Sequence, residues 1–187
     1  MRLVAGRFKG RVLSAPEGVT TRPTADRVRE SLFNILAHGE PDLRGARVAD
    51  IFAGSGALGL EALSRGAGHV TFFENAPGAQ AVIAANIKKI GCEAQATLLR
   101  QDALRPPKAS GPCRFLLLDP PYKSGLAATA LVALAAQGWI APDARIVVEV
   151  AAGEGFTSPL PDFPIADERK YGAARLVFLA ADLHKIE

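Results

Sequence analysis

The chain has 187 residues and a mass of 19.6 kDa, is 49% hydrophobic and 22% charged, and carries two cysteines and three histidines; this is one ordinary domain with a full core, and it excludes compositional disorder, a disulfide scaffold and a zinc cluster. The formal net charge of +3 is unevenly placed: residues 1–36 hold seven basic groups against three acidic ones, and residues 37–187 hold fifteen against sixteen. A basic arm on a neutral body favours an anionic partner, although the same pattern fits a solvated face.

The first residues, Met1 to Arg7, contain no apolar h-region, and the longest apolar run, Leu126–Ala136, is about half of what a membrane span needs. The expectation is a reduced, soluble, cytoplasmic protein with no membrane partner. Residues 2–4 and 11–14 read as two short strands joined through Gly6 and Gly10, a hairpin-like extension on which Arg7, Lys9 and Arg11 alternate and would share one face. Residues 24–36 read as a helix with Thr24 as N-cap. Its Arg27, Arg29 and Glu30 are also placed for local pairs. From Arg47 onward strands alternate with helices: strands at 48–53, 69–74, 94–100, 114–119 and 145–150, helices at 57–65, Pro77–Ile90 and Leu126–Ala136, then a final antiparallel pair at 168–171 and Ala174–Ala180 across Gly172. This rhythm predicts an α/β fold with a mostly parallel sheet and helices on both faces. Residues 1–45 are expected to form a basic extension packed on the main domain, residues 46–187.

Gly54-Ser55-Gly56-Ala57-Leu58-Gly59 matches G-x-G-x-x-G between a strand and a helix, and Glu74 follows 20 residues after Gly54 at the end of the next strand. The pattern suits a dinucleotide and equally S-adenosylmethionine, since in both the glycines admit the ligand and the acid grips ribose hydroxyls. Asp50 separates them. A carboxylate before the loop repels a pyrophosphate and favours the ammonium and sulfonium of S-adenosylmethionine. Asp50 also reads as a cap on backbone N–H groups of the turn, which is compatible with a place at the ligand's edge. Asp102 follows the third strand, where it can accept from an adenine amino group or cap its own loop.

Asp119-Pro120-Pro121-Tyr122 follows the most apolar strand. Two prolines and an aspartate make a corner rich in acceptors and poor in donors, which suits an amino group. Acceptors out of a base's plane localise the lone pair of an exocyclic nitrogen, and Tyr122 can stack on the base, which must be unpaired or flipped to enter. No Ser/His/Asp set, Cys–His pair or metal cluster stands out, and no metal is expected. A nucleotide-dependent oxidoreductase is the alternative from another class, and a non-catalytic RNA-binding assembly factor is a further one.

With the stretches Gly6–Arg11, Arg22–Asn34 and Asp50–Arg65 beside this tetrapeptide, the chain resembles the RsmD family, the 16S rRNA guanine-N2 methyltransferases of bacteria. The resemblance implies a class I S-adenosylmethionine-dependent methyltransferase, Rossmann-like, with seven strands and an N-terminal hairpin. It implies S-adenosylmethionine as donor and S-adenosylhomocysteine as product, bound through Gly54, Ser55, Gly56, Glu74 and Asp102, with Arg22 and Thr24 closing over the site. Asp119, Pro120, Pro121 and Tyr122 would hold the guanine amino group, and Arg7, Lys9, Arg11 and Arg27 would touch rRNA. The implied partner is 16S rRNA in a 30S subunit or assembly intermediate, with no obligate protein partner. Amino groups of DNA adenine or of protein glutamine remain alternatives that the tetrapeptide alone does not separate.

Overall fold

In the computed structural model, which describes residues 1–16, 23–39 and 41–181, the alternating elements form one twisted sheet. Among the described residues the elements are α1 (Pro23–Ala37), β1 (Arg47–Ile51), α2 (Ala57–Ser64), β2 (His69–Phe73), α3 (Pro77–Ile90), β3 (Ala96–Leu99), β4 (Cys113–Leu118), α4 (Leu126–Ala136), β5 (Ile140–Ala151), β6 (Ile165–Tyr171) and β7 (Ala174–Ala180). The strand order is β3-β2-β1-β4-β5-β7-β6, and β7 runs antiparallel to both of its neighbours. Parallel strands need crossovers, and the connections of β1–β2–β3 progress away from β1 while β4 and β5 lie on its other side. A topological switch point therefore falls between β1 and β4, where a crevice opens at the carboxyl ends of the strands.

Strands β1, β2, β4, β5 and β7 are apolar on both faces, so each feeds two cores. Val48, Phe72, Phe115, Leu117 and Val147 pack with α1, α2 and α3. Their neighbours Ala49, Ile51, Phe73, Leu116, Leu118, Ile146 and Val148 pack against α4 and Trp139. By the same alternation Asp50, Glu74, Asp119 and Glu149 fall on the first of these faces, at the carboxyl end.

The N-terminal arm departs from the expected strands. A single antiparallel bridge joins Arg2 and Val12, and residues 7–10 form turns. Arg7, Lys9 and Arg11 therefore do not alternate along a strand. The arm lies along α2 and α3, with Leu3 and Leu13 buried in the same core as the sheet. Gly6, at φ 79°, sits so close that a Cβ would come within 1.8 Å of the Ser64 carbonyl oxygen. Glu61, fully buried on α2, fastens the arm. It accepts hydrogen bonds from the backbone N–H of Val4 (2.8 Å) and Ala5 (3.1 Å) and from Arg65 (2.8 Å). Arg29 of α1 lies 4.0 Å away and donates to the Arg2 carbonyl.

Several boundaries shift: β3 is shorter than expected, β5 begins at Ile140 and β6 at Ile165, and two of the shifts have a plain local reason. α1 begins at Pro23, whose missing N–H and fixed φ suit a first helical position, so Thr24 stands inside the first turn and not at the cap. β1 ends two residues earlier than expected because Phe52, at φ 61°, turns the chain out of the sheet.

Candidate active site

The crevice at the switch point is a cavity of about 600 Å³, within the size range of small-molecule sites. Its charged lining is acidic: Glu74 from the end of β2, Asp102 after β3 and Asp119 after β4. Phe52, Phe73, Leu104 and Leu126 supply apolar walls, and Pro120, Pro121 and Tyr122 close one side. Six of the expected site residues thus meet in one place. Asp50, Gly54, Ser55 and Gly56 are not among the residues that line it.

The glycine loop is shaped by packing as much as by ligand access. Gly54 and Gly56 take φ of 57° and 77°, a region L side chains avoid. At Gly59 a Cβ would lie 2.4 Å from Phe72 Cε1 and 2.7 Å from Val70 Cγ1, so glycine lets α2 lie on β2. Ser55 turns away from the cavity: its hydroxyl contacts the Met1 sulfur at 3.6 Å and its carbonyl accepts from Asn86. Glu74 bonds the loop directly, Oε2 accepting from the Gly54 N–H and Oε1 from the Ala76 N–H, both at 2.8 Å.

Asp50 is 1% exposed. Its Oδ2 accepts from the Gly59 N–H at 2.8 Å, which is the cap reading. Its Oδ1 is buried with no hydrogen-bond partner. Burial, together with the negative charges of Asp119 and Glu74, pushes its carboxyl up to about 8 despite the Gly59 bond. Asp102 also caps, with Oδ1 accepting from the Leu104 N–H at 3.0 Å, and it lines the cavity.

Asp119 opens into the cavity, where solvent reaches it, but the crowding walls and then the charge of Glu149 raise its carboxyl to about 7. Glu149 is the residue that sequence reading missed. It stands near the carboxyl end of β5, and burial raises its carboxyl while a bond from the Tyr122 hydroxyl, at 2.8 Å, lowers it. The signal available was one acid inside the apolar stretch 146–151. Lys123, a non-glycine residue at φ 57°, follows the tetrapeptide and donates its N–H to Glu154 Oε2 at 2.9 Å; the same oxygen accepts from the Ala151 N–H. The turn after β4 and the exit of β5 are thereby stitched together.

The expected RNA contacts lie elsewhere. Arg7 donates to the Gln95 side chain and Arg11 to the Lys89 carbonyl at 3.3 Å. Both partners precede β3 or end α3, at the amino-terminal edge of the sheet, a strand length of roughly 15–20 Å from the cavity. Arg27 is exposed on α1. Arg22 and the Thr24 side chain lie outside the described residues. Among the described residues no His, Cys, Asp and Glu group could hold a metal ion, and no helix is long and apolar enough to cross a membrane.

Residues 1–180 match the family model described as Conserved hypothetical protein 95. The chain is 35% identical to the "Putative rRNA methyltransferase YlbH" of Bacillus subtilis over 176 residues, covering 92% of this chain and 94% of that one. It is equally 35% identical to the "Ribosomal RNA small subunit methyltransferase D" of Escherichia coli strain K12 over 173 residues, covering 92% and 85%. The solved structure of "Putative methyltransferase yhhF from Escherichia coli" superposes with a TM-score of 0.85 at 33% identity and 97% coverage of both chains. The fold is that of the class I methyltransferases, and none of these neighbours points toward an oxidoreductase.

Proposed function

Since the chain belongs to the RsmD family, whose model carries the description Conserved hypothetical protein 95, we propose that it methylates the exocyclic N2 amino group of a guanine in 16S rRNA, with S-adenosylmethionine as donor. One observation carries the reading most: Asp119 and its two prolines form a donor-poor corner opening into the same acidic cavity as Glu74 and Asp102.

The residues fit this cofactor. Three carboxylates around the cavity disfavour a pyrophosphate, whereas the buried, unpartnered Oδ1 of Asp50, protonated near neutrality in the ligand-free fold, would ionise on accepting from a cation such as the amino-acid ammonium. Glu74 and Asp102 keep lone pairs beyond their backbone bonds for ribose hydroxyls and an adenine amino group. S-adenosylmethionine supplies an electrophilic methyl group on sulfonium sulfur, so the chain needs no nucleophile of its own.

Asp119 accepts one N2 hydrogen, and the proline carbonyls crowd that nitrogen with further acceptors, which localises its lone pair. As the nitrogen–carbon bond forms, the sulfur–methyl bond would break with its electron pair left on the sulfur of S-adenosylhomocysteine, and the surplus N2 proton passes to ionised Asp119, whose elevated pKa suits a base working near neutrality. Tyr122, 47% exposed at the mouth, stacks on the base. The base must be unpaired, since a helical stack holds it out of reach. With Arg7 and Arg11 held at the far edge of the sheet from the cavity, the reading takes as substrate 16S rRNA in a 30S subunit or assembly intermediate, in the cytoplasm.

The test is transfer of radiolabelled methyl to naked 16S rRNA and to small subunits lacking the mark. Label in either RNA supports the reading. No transfer, with the cofactor shown to bind, overturns it.

A further inference from the structure

β4 and β5 are parallel and in register, with Leu117 beside Val147 and Leu118 beside Val148. The next step sets Asp119 beside Glu149, on the same face and on strands about 4.8 Å apart. Two acids placed so are costly, and nothing in the core requires the second one. Glu149 lines a cleft of about 160 Å³ that adjoins the main cavity and shares Pro120, Pro121 and Tyr122 with it. Its orientation is imposed from two sides. The Tyr122 hydroxyl holds Oε1, and Glu154 locks the two flanking loops by accepting from Lys123 and Ala151.

An amino group alone explains one acceptor corner and not two adjacent carboxylates. Among the bases with an exocyclic amino group, guanine alone carries a ring N–H next to it. Its N1–H and N2 hydrogens form a continuous row of donors. Adenine and cytosine present a ring nitrogen lone pair at that position, which a carboxylate repels. Resting on the methyltransferase reading above, we propose that Glu149 is the residue that selects guanine: its carboxylate accepts the N1–H while Asp119 accepts the N2 hydrogen, and Tyr122 is the positioning residue that aims it. The pair also gains from the substrate, because a row of donors between two crowded carboxylates offsets their repulsion.

Glu149→Gln tests this with a change of hydrogen-bonding pattern and almost none of shape. The substrate is 16S rRNA carrying either guanine or 2-aminopurine at the modified position, since 2-aminopurine keeps the 2-amino group but has an acceptor at N1. The full-length wild type is expected to favour guanine by about 100-fold in kcat/KM, the value of one charged hydrogen bond replaced by a repulsion. Glu149→Gln, whose amide can donate to N1, is expected to bring that ratio to within about tenfold of unity. Tyr122→Phe keeps the stacking ring but removes the hydroxyl that holds Glu149, so it should lower the preference for guanine part of the way while the rate on 2-aminopurine stays near the wild type's. Unchanged cofactor affinity and a melting temperature no lower than the wild type's show that the fold and donor site are intact in Glu149→Gln; if that variant is unstable, the wild-type preference between the two bases decides alone. A wild type that methylates both bases equally, or a variant that slows both by the same factor, overturns the assignment while leaving the methyltransferase reading in place. A wild type inactive on guanine overturns both.

Discussion

Replacing Asp50 by Asn should stabilise the ligand-free protein and weaken its hold on the cofactor. Asp50 titrates near 3.8 in an unfolded chain and at about 8 in the fold. Between those values the folded state keeps a proton that the unfolded state has released, so stability falls as pH rises from about 4 to 8 and then levels. At neutrality about three pH units of that window have been crossed. At 1.36 kcal/mol per unit the burial of this carboxyl costs the fold about 4 kcal/mol. Asn keeps an acceptor for the Gly59 N–H and does not ionise, so this cost disappears. In a chain of this length each kcal/mol moves the melting temperature by about 2–4 °C, giving a rise of roughly 8–16 °C at pH 7–8 and little at pH 4–5. Melting curves of both proteins across pH 4–9 read the effect directly; the gap between them should open with pH. Calorimetric titration with S-adenosylhomocysteine should show at least about tenfold weaker binding by the variant, the loss of one charge contact. Parallel stability curves, or a variant that binds the ligand as well as the wild type, would refute the place given to Asp50.

Asp119→Asn should reduce transfer by roughly 10²–10³-fold while cofactor affinity stays within a few-fold; a parallel loss of binding in the same titration would move Asp119 into the cofactor site. In the wild type, kcat/KM should fall as pH drops below about 7, because Asp119 is raised to that value by crowding and by Glu149 and must be ionised to accept the proton; a profile flat down to pH 5 contradicts that role. Gly59→Ala should destabilise by about 1–3 kcal/mol in urea, since the new methyl meets Phe72 and Val70 at 2.4 and 2.7 Å and the strain exceeds alanine's helix preference. Reversing the charges of Arg7, Lys9 and Arg11 together should weaken RNA binding and flatten its salt dependence by about two to three in slope; an unchanged slope would leave these residues only their hydrogen bonds to the body.

The sheet was legible because hydrophobic rhythm and turn residues agree with it. Pro77 and Gly91 bracket α3 at the expected positions, and the run 115–118 reads as a doubly buried strand. The arm was not legible in the same way. Its alternating cations imitate a strand, but Gly6 and Gly10 fold the tip into turns against Ser64, a tertiary contact that no local pattern records. The cavity residues Glu74, Asp102 and Asp119 came from their spacing after strand ends. Glu149 did not, because its role depends on the β4–β5 register that places it beside Asp119. Asp50 was found for its charge, while the burial that gives the charge its energetic weight comes from α2 closing over it.

The most direct test of the central claim is mass mapping of the methylated nucleotide after incubating the protein with small ribosomal subunits that lack the mark. The account predicts a single new N2-methylguanosine in 16S rRNA, formed at the expense of S-adenosylmethionine and cut by at least about 100-fold with Asp119→Asn. A methyl group on an adenine or on a ribosomal protein, or no modification by a protein that binds the cofactor, would contradict it.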